Sequence, residues 1–339
     1  MGRFFGPTPN IISSEGFFRG SAAAAVRKTW TQVTTGFEAT GTFFFGSYAN
    51  GLYLVTDLAG STSRVISSPD LVTFASNTIA VAANFRPRSV IFAAGTYFTV
   101  LDNNGLSFGV RGYTSPDLVT WTLRATGFPA NAANQRVFLP VFGNGVFLLV
   151  SQRSANYATS PDGVTWTQRS AYVPTEWGQP VFDGTQFVAA VLGTAASAKV
   201  ATSLDGINWT ESSVTLTAAF NAGSSFFWLG NDGTSQYIVG ESSDDAGNAL
   251  NGSLTGATLF SFNDAAAPTA SSPIFSGVSW ARNNARNGQL VSSPDGLTWS
   301  EDIVPATARA WGNLAFGGSK FMAVGTDTSG HNMLATRGP

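Results

Sequence analysis

The chain has 339 residues, a formal net charge of −2, 43% hydrophobic and only 11% charged residues, and no cysteine. Three lysines and no basic run exclude the long-range field that holds nucleic acid or an anionic membrane surface. The absence of cysteine excludes a disulfide framework, a thiol nucleophile and a Cys-based zinc site. Charge is well under the roughly 25% of typical globular domains. With 37 Gly and 27 Phe, this composition suits short strands joined by tight turns.

In chain order, residues 1–26 stand apart, mixing Phe4, Phe5, Phe17 and Phe18 with Pro, Gly and small residues. They lack the apolar core of about 7–15 residues of a signal peptide. No apolar run reaches the ~18 residues that span a bilayer. We expect a docking extension over 1–26 and one repetitive domain over 27–339, with no membrane insertion, no nucleic-acid partner and no cofactor. Packing of the extension against its own domain is the alternative to docking on a partner.

From residue 67 onward an eight-residue stretch recurs: "SSPDLVTF", "TSPDLVTW", "TSPDGVTW", "TSLDGINW" and "SSPDGLTW". Its aspartates are Asp70, Asp117, Asp162, Asp205 and Asp295, spaced by 47, 45, 43 and 90 residues, so one unit lacks the motif. The aromatics that close the copies are Phe74, Trp121, Trp166, Trp209 and Trp299. A second signature, an aromatic, a Gly turn and another aromatic, is clear at Phe142, Phe182, Phe275 and Phe316 and looser at Phe45, Phe92 and Trp228. These anchors mark seven units of 40 to 50 residues. The unit at Trp228 carries the polar insert "ESSDDAGNALNGSLTG" (241–256, with Asp244 and Asp245) in place of an intact motif. That insert is either a second binding surface or a solvated loop.

Between the turns the segments are strand-length, rich in Val, Ile, Phe, Tyr and Thr, with no helical period. Four strands in about 45 residues, repeated around a ring, predict an all-β, seven-bladed β-propeller of four-stranded blades. The ends predict how it closes: "MLATRGP" starts a motif whose aromatic half is missing, and "RKTWTQV" supplies that half through Trp30, 44 residues before Phe74. The N-terminal strand is therefore expected to complete the last blade.

Within the motif, Pro sets φ for a turn, Asp accepts backbone N–H groups, and Gly takes the positive φ that follows. The aromatic is expected to pack back over the turn, making a structural clasp; metal or sugar contact is the alternative. Leu71 and Leu118 replace this Gly, so the first two clasps need another turn or carry strain.

"SPDGVTW" resembles the Asp-box of sialidase-like propellers, though these copies lack the residue that family has between Asp and Gly. The resemblance covers about residues 30–339 and implies that the boxes are structural, between third and fourth strands, on the face away from a site. A sialidase would also need an arginine cluster, a Tyr–Glu pair and an acid. "FRPR" at 85–88 is the nearest echo, and it follows the first box instead of preceding it. His331 is the only histidine and is read as a solvated or strand-end residue, so neither a Ser-His-Asp triad nor a multi-His metal site is expected, and no enzymatic activity is expected.

Connections from one blade's fourth strand to the next blade's first strand gather at the mouth of the central channel. They carry Arg86, Arg88, Arg136, Glu176, Trp177, Arg309 and Trp311. These residues are either a ligand or sugar platform or braces between blades. Repeated boxes, low charge and a short docking segment also resemble propeller modules of bacteriophage structural proteins. That resemblance implies a virion tail, fibre or capsid-surface component, bound to other virion proteins through 1–26 and able to take host surface glycans. The alternatives are a secreted or surface bacterial carbohydrate-binding propeller, extracellular in location, and a sialidase-like glycoside hydrolase.

Overall fold

The computed structural model describes residues 27–39, 41–81, 85–102, 110–128, 137–151, 156–169, 178–191, 198–214, 226–231, 236–241, 249–252, 259–262, 274–275, 280–284, 289–293, 300–306 and 308–339. Among these residues there are strands and no helix, and every ladder within a sheet is antiparallel. Six sheets have four or five strands, following the repeat in order. Two further ladders of two strands each, Phe226–Asn231 with Gln236–Glu241 and Ala249–Gly252 with Leu259–Phe262, fall in the unit that begins at Trp228.

The first strands touch one another in cyclic order: Thr42–Ala49, Ile91–Ala93, Val141–Gly143, Val181–Phe182, Phe226–Asn231, Ile274–Phe275, Ala308–Gly317, and back to Thr42–Ala49. The sheets thus radiate from a central channel, as β-propeller blades do. Burial follows from this placement. In the second strand of the third sheet, Phe147, Leu148, Leu149 and Val150 are all sealed, because neighbouring blades cover both faces. The outermost strands, such as Thr122–Arg124 and Thr167–Arg169, are short, polar and exposed, which blunts their open edges.

In four blades the first two strands meet through hairpins whose two central residues are both left-handed, as at Asn144 (φ 46°) and Gly145 (φ 76°). This primed turn matches strand twist. The aromatics flanking it stack across the ladder, Phe142 on Phe147 at 4.7 Å and Phe316 on Phe321 at 4.8 Å. In the first unit the stacked pair is Tyr48 and Tyr53 at 4.9 Å, so Tyr48 holds the anchor position and Phe45 does not. Phe45 lies beside a β-bulge that interrupts the register between Phe43 and Phe45.

At two seams the blades pack through a glycine after the anchor aromatic. A Cβ on Gly143 would stand 2.1 Å from the Phe182 ring of the next blade. A Cβ on Gly317 would stand 2.0 Å from the Tyr48 ring, across the point where the last blade meets the first.

The ring closes as the chain ends predict. Thr31–Val33 pairs with Asn332–Arg337, Thr31 opposite Thr336, and so becomes the outer strand of the last sheet. Just before it, Trp30 N donates to Ile303 O and Ile303 N donates to Lys28 O. One strap therefore ties the outer edge of the preceding blade to the closing one.

Candidate functional site

The third strand of each unit runs into its clasp, and four clasps share one geometry. In the third, Asp162 Oδ1 accepts the amides of Val164 (2.8 Å) and Thr165 (2.7 Å), and Ser160 Oγ donates to the same oxygen at 3.0 Å. Asp70, Asp117 and Asp205 repeat this with Val72 and Thr73, Val119 and Thr120, and Ile207 and Asn208. Backbone N–H bonds from Thr73, Thr120 and Thr165 hold the Asp70, Asp117 and Asp162 carboxyls below the ordinary carboxylate range. At Asp205 burial pushes upward, but the amides of Asn208 and Ile207 outweigh it and draw the carboxyl to about 2. Asp295 and Trp299 lie outside the described residues.

The residue after each Asp is left-handed whatever its type: Leu71 (φ 65°), Leu118 (φ 66°), Gly163 (φ 72°) and Gly206 (φ 69°). The first two clasps therefore use the same turn and carry strain. Their leucines stay because the side chains are buried in the blade cores. The clasp indoles do close the turn, with Trp121 and Trp166 donating Nε1–H to the Leu118 and Gly163 carbonyls at 2.9 Å. They also reach across the seam, which the local reading misses. Trp166 packs on Phe98 of the preceding blade with ring centroids 5.0 Å apart, and Trp209 on Tyr157 at 6.4 Å. Phe74 is half-buried against the first blade's core, and Trp30 fills the corresponding place in the closing blade.

At the opposite end of the blades, the channel mouth, Arg86 and Arg88 are half-buried. Arg86 lies over Phe44 at 5.4 Å and Arg88 over Phe45 at 5.3 Å. Two local devices make this double stack. Arg86 and Arg88 are two apart in extended backbone and so face one way, while the bulge brings the consecutive Phe44 and Phe45 rings toward the same seam. Arg111 lies 4.4 Å over Phe85, and Arg64 lies 5.5 Å over Phe37 while pairing with the buried Asp57. Burial raises the Asp57 carboxyl above its ordinary range despite the Arg64 guanidinium. Sequence reasoning missed Phe44, Arg64 and Arg111 and gave Phe45 an anchor role that Tyr48 holds instead. The Arg-Pro-Arg alternation points to the arginines but nothing local marks the rings.

The other expected mouth residues divide. Trp311 is only 4% exposed, inside a cluster with Trp30, Leu314 and Phe321, so it is a core residue and not a sugar platform. Arg309 lies in the strand Ala308–Gly317, where only its backbone is described. Arg136, Glu176, Trp177, the docking residues Phe4, Phe5, Phe17 and Phe18, and Asp244 and Asp245 lie outside the described residues. His331 is a solvated turn residue 3.4 Å from the Asp327 carboxylate. Among the described residues no three His, Cys, Asp or Glu side chains gather as a metal site, and no helix is long and apolar enough to cross a membrane.

No family model matches the chain, and no curated protein matches it. Solved structures do. A virginiamycin B lyase from Staphylococcus aureus aligns with TM-score 0.65 at 10% identity, over 91% of this chain and 99% of that one. A Mycobacterium tuberculosis puromycin-hydrolyzing peptidase aligns with TM-score 0.63 at 13% identity, over 92% of this chain and 55% of that one. The propeller domain of the trilobed protease from Pyrococcus furiosus aligns with TM-score 0.57 at 9% identity, over 88% and 95%. At these identities the likeness shows the fold, a β-propeller, which hosts unrelated functions. It also corrects the expectation of no enzymatic activity: enzymes stand among the chains that share this architecture, so a lone histidine is no ground against catalysis.

Proposed function

We propose that this chain is a structural component of a bacteriophage virion, a tail, fibre or capsid-surface protein held to the particle through residues 1–26. Its channel mouth takes host glycans. The observation that carries the reading is the difference between the two ends of the ring. At one end the same clasp recurs blade after blade, its carboxylate occupied by its own backbone. At the other, arginines that do not repeat are stacked on phenylalanines at one seam, a cation–aromatic surface of the kind that takes sugars. The likeness of "SPDGVTW" to the Asp-box supports the division into a scaffold face and a binding face. The reading takes the ring as seven-bladed, supported by the cyclic order of the first strands.

The test is a glycan array probed with the native protein and with an Arg86→Ala, Arg88→Ala variant, beside mass spectrometry of purified virions. Hits lost in the variant are expected; an array without hits removes the glycan assignment. Absence of the chain from virions removes the structural one. Turnover of a streptogramin or of puromycin, the compounds named for its structural neighbours, would replace this reading with an enzymatic one.

A further inference from the structure

Chain direction distinguishes the two faces of the ring. Third strands run into the clasps, and Asn332–Arg337, the third strand of the closing sheet, runs the same way, so Pro339 ends where a clasp would begin. Thr31–Val33 starts beside that end, with Thr31 opposite Thr336 and Lys28 Nζ donating to Pro339 O at 3.1 Å. Arg27 Nε donates to Glu301 O at 2.8 Å just before it. Arg27, the first described residue, therefore enters the ring on the clasp face, away from the mouth.

That face carries a second feature. Two residues after the aspartate, each of the first three clasps projects an aliphatic side chain into solvent: Val72 (77% exposed), Val119 (60%) and Val164 (41%). In the fourth clasp that position is the half-buried Ile207, and Leu204, one residue before the aspartate, is 64% exposed. Single exposed aliphatics are ordinary, but the three valines recur at one level of the repeat, on one face, along three consecutive blades. Beside each stands a carboxylate whose backbone hydrogen bonds keep it ionised.

We propose that the clasp face is the seat of the propeller on its carrier, a virion protein surface presenting basic and aliphatic side chains that complement this arc of carboxylates and valines. The proposal rests on the virion reading above. Tail and seat then engage one partner from one side, and the channel mouth points away from the particle.

The experiment counts copies per purified particle by quantitative mass spectrometry for three forms: wild type, a Val72→Lys, Val119→Lys, Val164→Lys variant, and Ser61→Lys on the opposite face. All three are first matched for melting temperature. Incorporation of the triple variant is expected to fall at least tenfold, with Ser61→Lys unchanged. Equal incorporation of the triple variant overturns the seat and leaves the virion reading intact. Absence of the wild type from particles overturns both. A photo-crosslinking residue at position 119 or 61, in the otherwise native chain, covers the case in which the triple variant misfolds. Crosslinks to a virion protein from 119 alone support the seat, and crosslinks from 61 alone overturn it.

Discussion

Trp30 Nε1 donates to Asp302 Oδ2 at 2.8 Å, joining two buried side chains 272 residues apart. The same carboxylate accepts Ser292 Oγ at 2.5 Å and Lys28 N at 3.1 Å. Arg337 stands 3.7 Å from it, stacked between Phe321 at 4.2 Å and Trp30 at 5.3 Å. Burial draws the Arg337 guanidinium down to about 10, against the pull of Asp302. One carboxylate thus bolts the strap to both blades that it bridges.

Removing that bolt leaves a buried guanidinium without its counter-charge, a loss of about 3–5 kcal/mol when a buried pair is broken. Asp302→Ala is expected to unfold earlier in denaturant by that amount. Hydrogen exchange is expected to accelerate first at residues 31–33 and 334–336. Uniform acceleration across all blades would remove the strap from its closing role.

The strained clasps set two terms against each other. A left-handed leucine costs roughly 1–2 kcal/mol, and burying its side chain returns about 1.5–3 kcal/mol. Burial wins, so Leu118→Gly is expected to destabilise by about 1 kcal/mol. Leu118→Ala keeps the strain and loses the packing, so it is expected to be the worse variant by a further ~1 kcal/mol. Chemical denaturation of the pair checks the order.

Clasp carboxyls lowered in the folded state impose a sign on acid stability. Their contribution is complete above the unfolded carboxylate range near 3.9 and is lost as pH falls through the folded values, about 2 for Asp205. Melting temperature is expected to hold down to about pH 4 and to drop between pH 4 and 2. In Asp205→Asn that acid-side drop is expected to shrink.

Gly143→Ala tests the blade seam. Its Cβ would sit 2.1 Å from the Phe182 ring, which is held in the next blade by Phe187 at 5.2 Å. Overpacking of this kind costs typically ~1–3 kcal/mol, read as a lowered denaturation midpoint. Phe182→Leu in the same background is expected to restore part of it.

The sequence by itself determined the repeat, the strand-rich units, the clasps and the way the ends close the ring. Each of these is written within about eight residues or in a spacing, because turn chemistry is local: a Pro, an Asp and a left-handed residue specify one hairpin wherever they fall. Only the tertiary structure decided what crosses a seam. Trp311 looks like a channel-mouth platform in sequence and is core, because the bulged strand Ala308–Gly317 packs it beside Trp30 from the far end of the chain. The stacking of Arg86 and Arg88 on Phe44 and Phe45, and the bolt at Asp302, join residues about 40 to 270 apart that no repeated motif marks. Packing between blades selects those partners by shape and charge after the ring has formed, and a one-dimensional pattern holds no record of that choice.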